Sequence, residues 1–140
     1  MNLEIYKETK IRIPRKKLEK LFGEIAKKEL KPNAKGKVNL VFTTNKRIKR
    51  LNKQYREIDK PTDVLSFNID LPDTEDSIMG EIYISVPFAV KQAKSYDGNI
   101  TEEVLRLVCH GLLHLCGYDH QKKKDAILMT KLENLYLGIN

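Results

Sequence analysis

The 140-residue sequence lacks any apolar run of the roughly 20 residues that a membrane-spanning helix needs. Its N-terminus, MNLEIYKETK, lacks the apolar segment of a secretory signal peptide. Internal repeats, low-complexity tracts and linker-like segments are absent as well. The composition, 41% hydrophobic and 32% charged, is that of a globular protein and excludes a disordered chain. We therefore expect one soluble, cytoplasmic domain spanning residues 1–140, with no membrane partner.

Cysteine is scarce, and the two cysteines present are not placed to pair. Cys109 and Cys116 fall seven residues apart on one predicted helix, which separates their Cα atoms by roughly 10 Å. A disulfide needs a separation of about 4.4–6.8 Å. Each cysteine is also rotated by about 100–120° from His110 around the helix axis. We expect both to be small buried hydrophobic residues that do not bind metal.

Histidine is equally scarce, but all three histidines lie within residues 110–120, which read HGLLHLCGYDH. His110 and His114 are four residues apart and therefore share one face of a helix. Gly117 can end that helix in the left-handed conformation, after which the chain turns and brings back His120. Three imidazoles so placed can bind one zinc ion and leave its fourth position open for water. His110, His114 and His120 are the predicted metal ligands.

The spacing of these histidines matches the HExxHxxGxxH pattern of the metzincin zinc proteases, with one difference. Position 111 is glycine, where those proteases have the glutamate that acts as general base on the zinc-bound water. The ligand geometry survives this change, but the base is missing. The pattern therefore predicts a metzincin-like zinc site and weakens the case for a peptidase.

Charge is distributed unevenly along the chain, whose formal net charge is +7. Residues 1–60 hold 19 Lys and Arg against 7 Asp and Glu, whereas residues 61–140 hold 7 against 12. A segregated positive field indicates a polyanionic partner such as nucleic acid. A lysine-rich solvated surface, common in heat-adapted proteins, explains the same distribution equally well.

Apolar periodicity predicts four strands, at about residues 2–6, 38–42, 61–67 and 80–85. It also predicts helices at about 14–30, 45–57, 87–96 and 122–137, and one capped by Thr101 that carries the first two histidines. The last helix has its predicted apolar face at Leu128, Leu132, Leu135 and Tyr136.

The histidine-bearing helix is apolar nearly all round, which is typical of a helix buried in the centre of a fold. Its polar residues form one stripe of Glu103, Arg106, His110 and His114, so the metal should lie in a cleft beside it. The expected architecture is an α/β fold: a single mixed sheet of about four strands with helices packed over it and this helix at the centre.

Three segments give the chain a resemblance to the YbeY family of bacterial metal-dependent endoribonucleases. They occur in the family's order and approximate spacing and are LNKQYREIDKPTDVLSF (51–67), GEIYIS (80–85) and HGLLHLCGYDH (110–120). The third segment, with glycine in place of glutamate, is the most specific. The resemblance covers most of the chain, and one departure is Glu81, where the family more often has aspartate.

The resemblance implies that His110, His114 and His120 correspond to the family's zinc ligands. It implies that Arg56 corresponds to an arginine associated with RNA processing, and we treat it as the candidate catalytic residue. The function implied is a zinc-dependent, single-strand-specific endoribonuclease that matures the 3′ end of 16S ribosomal RNA and takes part in ribosome quality control. Its implied partners are ribosomal RNA and ribosome or small-subunit factors, with one Zn²⁺ as cofactor.

Phosphodiester hydrolysis fits these residue types. Three neutral imidazoles leave a zinc ion its charge, which lowers the pKa of bound water towards neutrality. Arg56 is permanently charged and planar, and can grip a phosphate with two parallel hydrogen bonds. Asp63 or Glu81 could hold the second ring nitrogen of a ligand histidine. Arg106 could contact RNA or pair with Glu102 or Glu103.

Two alternatives stay open at the level of sequence. One is a zinc peptidase that takes its base from elsewhere, with Glu81 as the candidate. The other is a ribosome-assembly factor whose zinc is structural. Structural zinc usually has four protein ligands, and neither cysteine is placed to supply the fourth.

Overall fold

A computed structural model describes residues 1–31, 34–69, 76–96, 98–119 and 121–139. Its strands are β1 (Asn2–Lys7), β2 (Lys37–Thr43), β3 (Val64–Asn68) and β4 (Ile78–Ser85). Its helices are α1 (Arg15–Glu29), α2 (Asn45–Arg56), α3 (Val86–Ser95), α4 (Ile100–Leu115) and α5 (Lys123–Leu137). Within the described ranges, none of these helices combines the length and the apolar character needed to cross a bilayer.

The strands form one sheet in the order β1-β2-β4-β3. Strands β1, β2 and β4 are parallel, and the connection between each pair of parallel neighbours contains the helix that such a crossover usually has. Strand β3 runs antiparallel to β4 at the edge of the sheet. The predicted α/β fold with a single mixed sheet of four strands and helices packed over it is confirmed.

The two faces of this sheet are covered unevenly. One face, here called the closed face, packs against α1, α4 and α5 through a large core that includes Leu40 and Ile82. The opposite face, here called the α2 face, carries a small cluster of Val41, Leu65 and Tyr83 beneath Ile48 of α2. Alternation along the strands produces this division, since successive side chains point to opposite sides of a sheet.

Helix α4 approaches the sheet closely at two glycines. A Cβ atom at Gly111 would lie 2.9 Å from Ile82 Cγ2 and 3.0 Å from Ser66 Oγ. A Cβ atom at Gly80 of β4 would lie 2.6 Å from Leu115 Cδ2. The hydroxyl of Ser66 donates to the Gly111 carbonyl oxygen at 3.2 Å, which ties the helix to edge strand β3.

The start of α4 differs from the prediction. Asn99 is the N-cap, and its side-chain oxygen accepts from the backbone N–H of Glu102 at 2.8 Å. Thr101 lies inside the first helical turn, so its prediction as the cap was wrong. Asparagine and threonine are both favoured N-cap residues, and the helix here begins at Ile100, directly after Asn99.

The buried side of α5 also differs from the prediction. Leu128 and Leu135 are exposed, while Met129 and Tyr136 are buried. Because Met129, Glu133 and Tyr136 are spaced by four and three residues, they lie on one face of the helix. The prediction was therefore wrong for Leu128 and Leu135 but is confirmed for Tyr136, which is buried, and for Leu132, which packs against the core. The observed face turns Glu133 towards α4.

Candidate metal centre

A cleft of about 500 Å³ lies between α4, edge strand β3 and the C-terminal end of α2. Both His110 and His114 line it, and Arg56 lines it from the opposite wall. Ser66 of β3 and Asn52 of α2 complete much of the wall between them. The fold therefore brings together residues that are more than 50 positions apart in the chain.

The two histidines of α4 converge on one point. Their Nε2 atoms are 3.0 Å apart, and their rings meet edge to face at an interplanar angle of 81°. Two nitrogens bound to one tetrahedral zinc ion, each about 2.0–2.1 Å from it, are separated by about 3.3–3.4 Å. The spacing of His110 and His114 is close to that value, so the pair fits two ligands of a single ion.

A carboxylate from α5 holds the other side of the first histidine. His110 Nδ1 lies 2.5 Å from Glu133 Oε1, and both side chains are largely buried. A proton on Nδ1 that is donated to this carboxylate leaves Nε2 with its lone pair towards the cleft. Glu133 is thus placed to orient a metal ligand. The sequence gives no signal for this role of Glu133, because its contact with His110 depends on how α5 packs against α4.

The two carboxylates named for that role are engaged elsewhere. Asp63 accepts from the backbone N–H of Val64 at 2.8 Å and from Gln92 at 3.4 Å. Glu81 lies on the α2 face, where its carboxylate accepts from Asn39 at 3.1 Å and from Tyr83 at 2.9 Å. Glu81 is therefore separated from α4 by the sheet itself, which removes it as the partner of a ligand histidine.

His120 lies outside the described residues, so its role as third ligand stays a prediction. The flanking residues Asp119 and Gln121 both line the cleft. Within the part of the chain that the structure describes, no three His, Cys, Asp or Glu side chains are grouped to hold an ion. His110 and His114 supply two of the predicted three.

The turn after α4 is defined at Gly117 and Tyr118. Gly117 has a φ of +102°, in the left-handed region that favours glycine, as predicted. The Tyr118 hydroxyl donates to Glu29 Oε2 of α1 at 2.8 Å, and the Tyr136 hydroxyl of α5 donates to Glu29 Oε1 at 2.9 Å. The hydrogen bond to Glu29 raises the pKa of Tyr118 above its ordinary value. One carboxylate thus joins the turn to two helices.

Neither cysteine belongs to the described lining of the cleft. Cys109 is fully buried in the core of the closed face, and Cys116 is half-buried. Burial raises the pKa of the Cys109 thiol to about 12 and that of Cys116 to about 11. Both are free, as predicted, and Cys109 is buried as predicted, whereas Cys116 is only half-buried.

Arg56 reaches the cleft from the last residue of α2. Its Nη2 donates to the Ser66 carbonyl oxygen at 3.2 Å, and its guanidinium lies 5.8 Å from the centre of the Phe67 ring. Glu57, in the left-handed conformation at φ 59°, ends the helix directly after it. The side chain is exposed and so can contact a ligand in the cleft.

Arg106, left open between RNA contact and pairing, pairs with Glu103. Its Nε lies 2.5 Å from Glu103 Oε1, and its Nη2 donates to Glu103 Oε2 and to Gln92, each at 3.3 Å. Glu103 is buried, so the pair compensates a charge inside the fold. Both residues line a separate, mainly apolar cavity of about 550 Å³ beside α3.

The place of the metzincin glutamate is occupied by the sheet. Gly111 packs against Ile82 and Ser66 so closely that even a Cβ atom would force them to move. A glutamate side chain at this position therefore has no room in the present packing. The missing base is thus linked to the close approach of α4 and the sheet.

The chain is similar to proteins of one known family. The sequence model of the family described as Endoribonuclease YbeY matches residues 4–139. A relative from Limosilactobacillus reuteri (strain DSM 20016), named Endoribonuclease YbeY, is 35% identical over 148 positions, which cover 95% of this chain and 93% of the relative. A relative of the same name from Sulfurovum sp. (strain NBC37-1) is 37% identical over 135 positions, covering 94% and 86%.

A third relative named Endoribonuclease YbeY, from Persephonella marina, is 44% identical over 100 positions. That alignment covers 69% of this chain and 65% of the relative, slightly less than two thirds of its length. Among solved structures, the solution structure of TM1509 from Thermotoga maritima is similar with a TM-score of 0.65 and 34% identity. The match covers 96% of this chain and 86% of that protein.

Proposed function

Because the chain belongs to the YbeY family of endoribonucleases, we propose that it is a zinc-dependent enzyme that cleaves single-stranded RNA. Its physiological role is maturation of the 3′ end of 16S ribosomal RNA and ribosome quality control. It works in the cytoplasm with ribosome or small-subunit factors, and residues 1–140 act as one metallo-endoribonuclease domain. The observation that carries the proposal is the convergence of His110, His114 and Arg56 on one cleft.

His110, His114 and His120 would hold the zinc ion. Bound there, zinc supplies a water that ionises near neutral pH and a positive charge for a phosphoryl oxygen. Glu133 accepts a hydrogen bond from Nδ1–H of His110, which leaves the Nε2 lone pair available on the cleft side. Glu29 accepts from the Tyr118 hydroxyl and so anchors the chain just after Gly117.

Arg56 supplies the fixed positive charge of the opposite wall. Among the described residues, one N–H of its guanidinium is engaged, by the Ser66 carbonyl oxygen. The remaining N–H groups can donate to two oxygens of one phosphate. Such donors stabilise the charge that develops on the phosphoryl oxygens during hydrolysis, because they are already in place when it forms.

The structure weakens both alternatives. The candidate base of the peptidase alternative, Glu81, lies beyond the sheet from α4, and Gly111 leaves no room for the glutamate of the metzincin pattern. A structural zinc site needs a fourth protein ligand, and neither Cys109 nor Cys116 is among the described residues of the cleft.

The test is cleavage of single-stranded RNA by the zinc-loaded protein, with and without chelator, beside a His114→Ala variant. Metal content is measured on every preparation. Arg15→Ala, which alters an exposed residue of α1, is the control variant and should cleave RNA as the wild type does. We expect cleavage to require both zinc and His114, and to fail on a duplex of the same sequence.

Two results would overturn the proposal. Zinc bound by the wild type without cleavage of any RNA favours an assembly factor. Cleavage of a peptide control with no cleavage of RNA favours a peptidase.

A further inference from the structure

An aromatic pair lies just outside the cleft. Tyr55, in the last turn of α2, is 61% exposed, and its ring packs on Phe67 of β3 with centroids 5.2 Å apart. Phe67 contacts the buried ring of Tyr83 at 6.0 Å, which fixes the pair to the sheet. The pair therefore has a rigid inner side, while most of the Tyr55 surface is open to solvent.

Arg56 connects this pair to the cleft. Its guanidinium lies 5.8 Å from the Phe67 ring and donates to the Ser66 carbonyl oxygen, and Ser66 itself lines the cleft. Edge strand β3 thus has the histidine cleft on one side and the aromatic pair on the other, with Arg56 between them. Tyr55 and Phe67 therefore lie beside the guanidinium that could hold a phosphate at the edge of the cleft.

The surrounding charge is positive. α2 contains six Lys and Arg and no acidic residue, and Lys53, one turn before Arg56, is exposed. Cations alone indicate only a solvated helix surface. An exposed tyrosine among them, packed on a second ring, adds a flat apolar surface that solvation of a charged helix does not explain. Proteins that bind single-stranded nucleic acid combine these two features, with cations for the backbone and rings for the bases.

We propose that Tyr55 and Phe67 form a stacking site for unpaired nucleobases of the RNA strand that leaves the cleft past Arg56. The site rests on the proposed function, since its ligand is the same RNA. It also gives a physical reason for the preference for single strands. A base within a duplex is stacked between its neighbours and cannot place a face on Tyr55 without being unstacked.

The experiment measures cleavage of single-stranded RNA by the zinc-loaded protein under single-turnover conditions. Tyr55→Ala is expected to raise the half-saturating protein concentration about 5- to 100-fold, the loss associated with one stacked base, and to leave the maximal rate within about threefold. Tyr55→Phe keeps the ring and should stay within about twofold of the wild type. Tyr96→Ala is the matched control, because Tyr96 is 71% exposed and lines the separate cavity beside α3.

A second substrate distinguishes stacking from backbone contact. RNA of the same length with abasic nucleotides flanking the cleavage site has phosphates but no bases to stack. Tyr55→Ala should therefore weaken its binding less than twofold, roughly. Melting temperatures of all variants are compared, and they should agree because Tyr55 is exposed.

Each contrary outcome is separate. If the wild type cleaves RNA and Tyr55→Ala behaves like it, the stacking site is wrong and the proposed function stands. If the wild type neither binds nor cleaves RNA, both are wrong. Equal losses in Tyr55→Ala and Tyr55→Phe, or equal losses on abasic and normal RNA, would also overturn the stacking site. The stacking site would also be overturned if Tyr55→Ala left RNA binding unchanged but abolished binding to a ribosomal protein.

Discussion

The closed face and the α2 face of the sheet differ in cover and in chemistry. The core of the closed face contains 21 of the described buried residues, whereas the cluster on the α2 face contains four. His110 and His114 belong to a helix embedded in the larger core, and the exposed Tyr55 and Arg56 belong to the helix over the smaller one. Metal ligands must be held within about 0.5 Å, while a strand of RNA needs open surface. Under the proposed function, the closed face would therefore position the metal ligands and the α2 face would receive the RNA.

Arg56→Ala tests this division with the largest expected effect. The maximal rate of RNA cleavage should fall by about 100- to 1,000-fold, the usual cost of removing one donor that stabilises transition-state charge. Zinc content and melting temperature should match the wild type, because the side chain is exposed at the end of α2. Arg15→Ala removes the same charge at another exposed position and is the control. Loss of bound zinc in Arg56→Ala would show that the two faces are not separable.

Glu133→Gln tests the closed face. The zinc dissociation constant should rise about 10- to 100-fold, because the amide oxygen lacks the negative charge with which the carboxylate accepts from Nδ1–H of His110 and strengthens its Nε2 as a ligand. Competition with a chromogenic chelator measures it. Asn134→Asp, a change of similar size at the neighbouring position, is the control. A variant that binds zinc as the wild type does would show that Glu133 serves α5 packing alone.

A pair of glycine substitutions tests how tightly the closed face is packed. Gly111→Ala should lower the free energy of unfolding by about 1–3 kcal/mol, because its Cβ would meet Ile82 and Ser66. Gly23→Ala, on an exposed part of α1 with nothing within 4 Å of its Cβ, should raise the free energy of unfolding by about 0.5–1 kcal/mol. Urea denaturation measures both. Equal effects of the two substitutions would contradict the close approach of α4 to the sheet.

Lys53→Ala tests the α2 face with the smallest expected effect. Removing one phosphate contact should weaken RNA binding a few-fold, roughly, and reduce the slope of log Kd against log salt by about 0.7 for a single strand. Lys20→Ala on α1 should leave the slope unchanged, since Lys20 is exposed on another helix. The slopes come from titrations at several salt concentrations. The same slope for both variants would remove Lys53 from the path of the RNA.

Much of the fold was predictable because its signals are local. Alternating and helical apolar patterns predicted the strands and helices within a few residues. The error at Thr101 came from two capping residue types placed two positions apart, Asn99 and Thr101. Local sequence does not decide between them, because the packing of α4 fixes where its first turn begins.

The site was predictable only in part. The four-residue spacing of His110 and His114 places them on one face of a helix by geometry alone. Glu133 was not predictable in the same way, because its contact depends on the rotation of α5 against α4 and spans 23 residues. Arg56 carries no local signal, since an arginine at a helix end is usually solvated. It was named from the family resemblance, and the structure then placed it in the cleft.

The contacts of Glu29 bear on how such proteins can be dissected. The histidine motif is eleven residues long, but its turn is held by a carboxylate 89 residues before Tyr118 and 107 before Tyr136. The entropic cost of closing these long loops is offset by the folding of the whole chain and not by contacts within the motif. A peptide or fragment that begins after α1 therefore keeps every motif histidine and loses the anchor of their turn. The motif is contiguous in sequence, yet it is not an independent metal-binding unit.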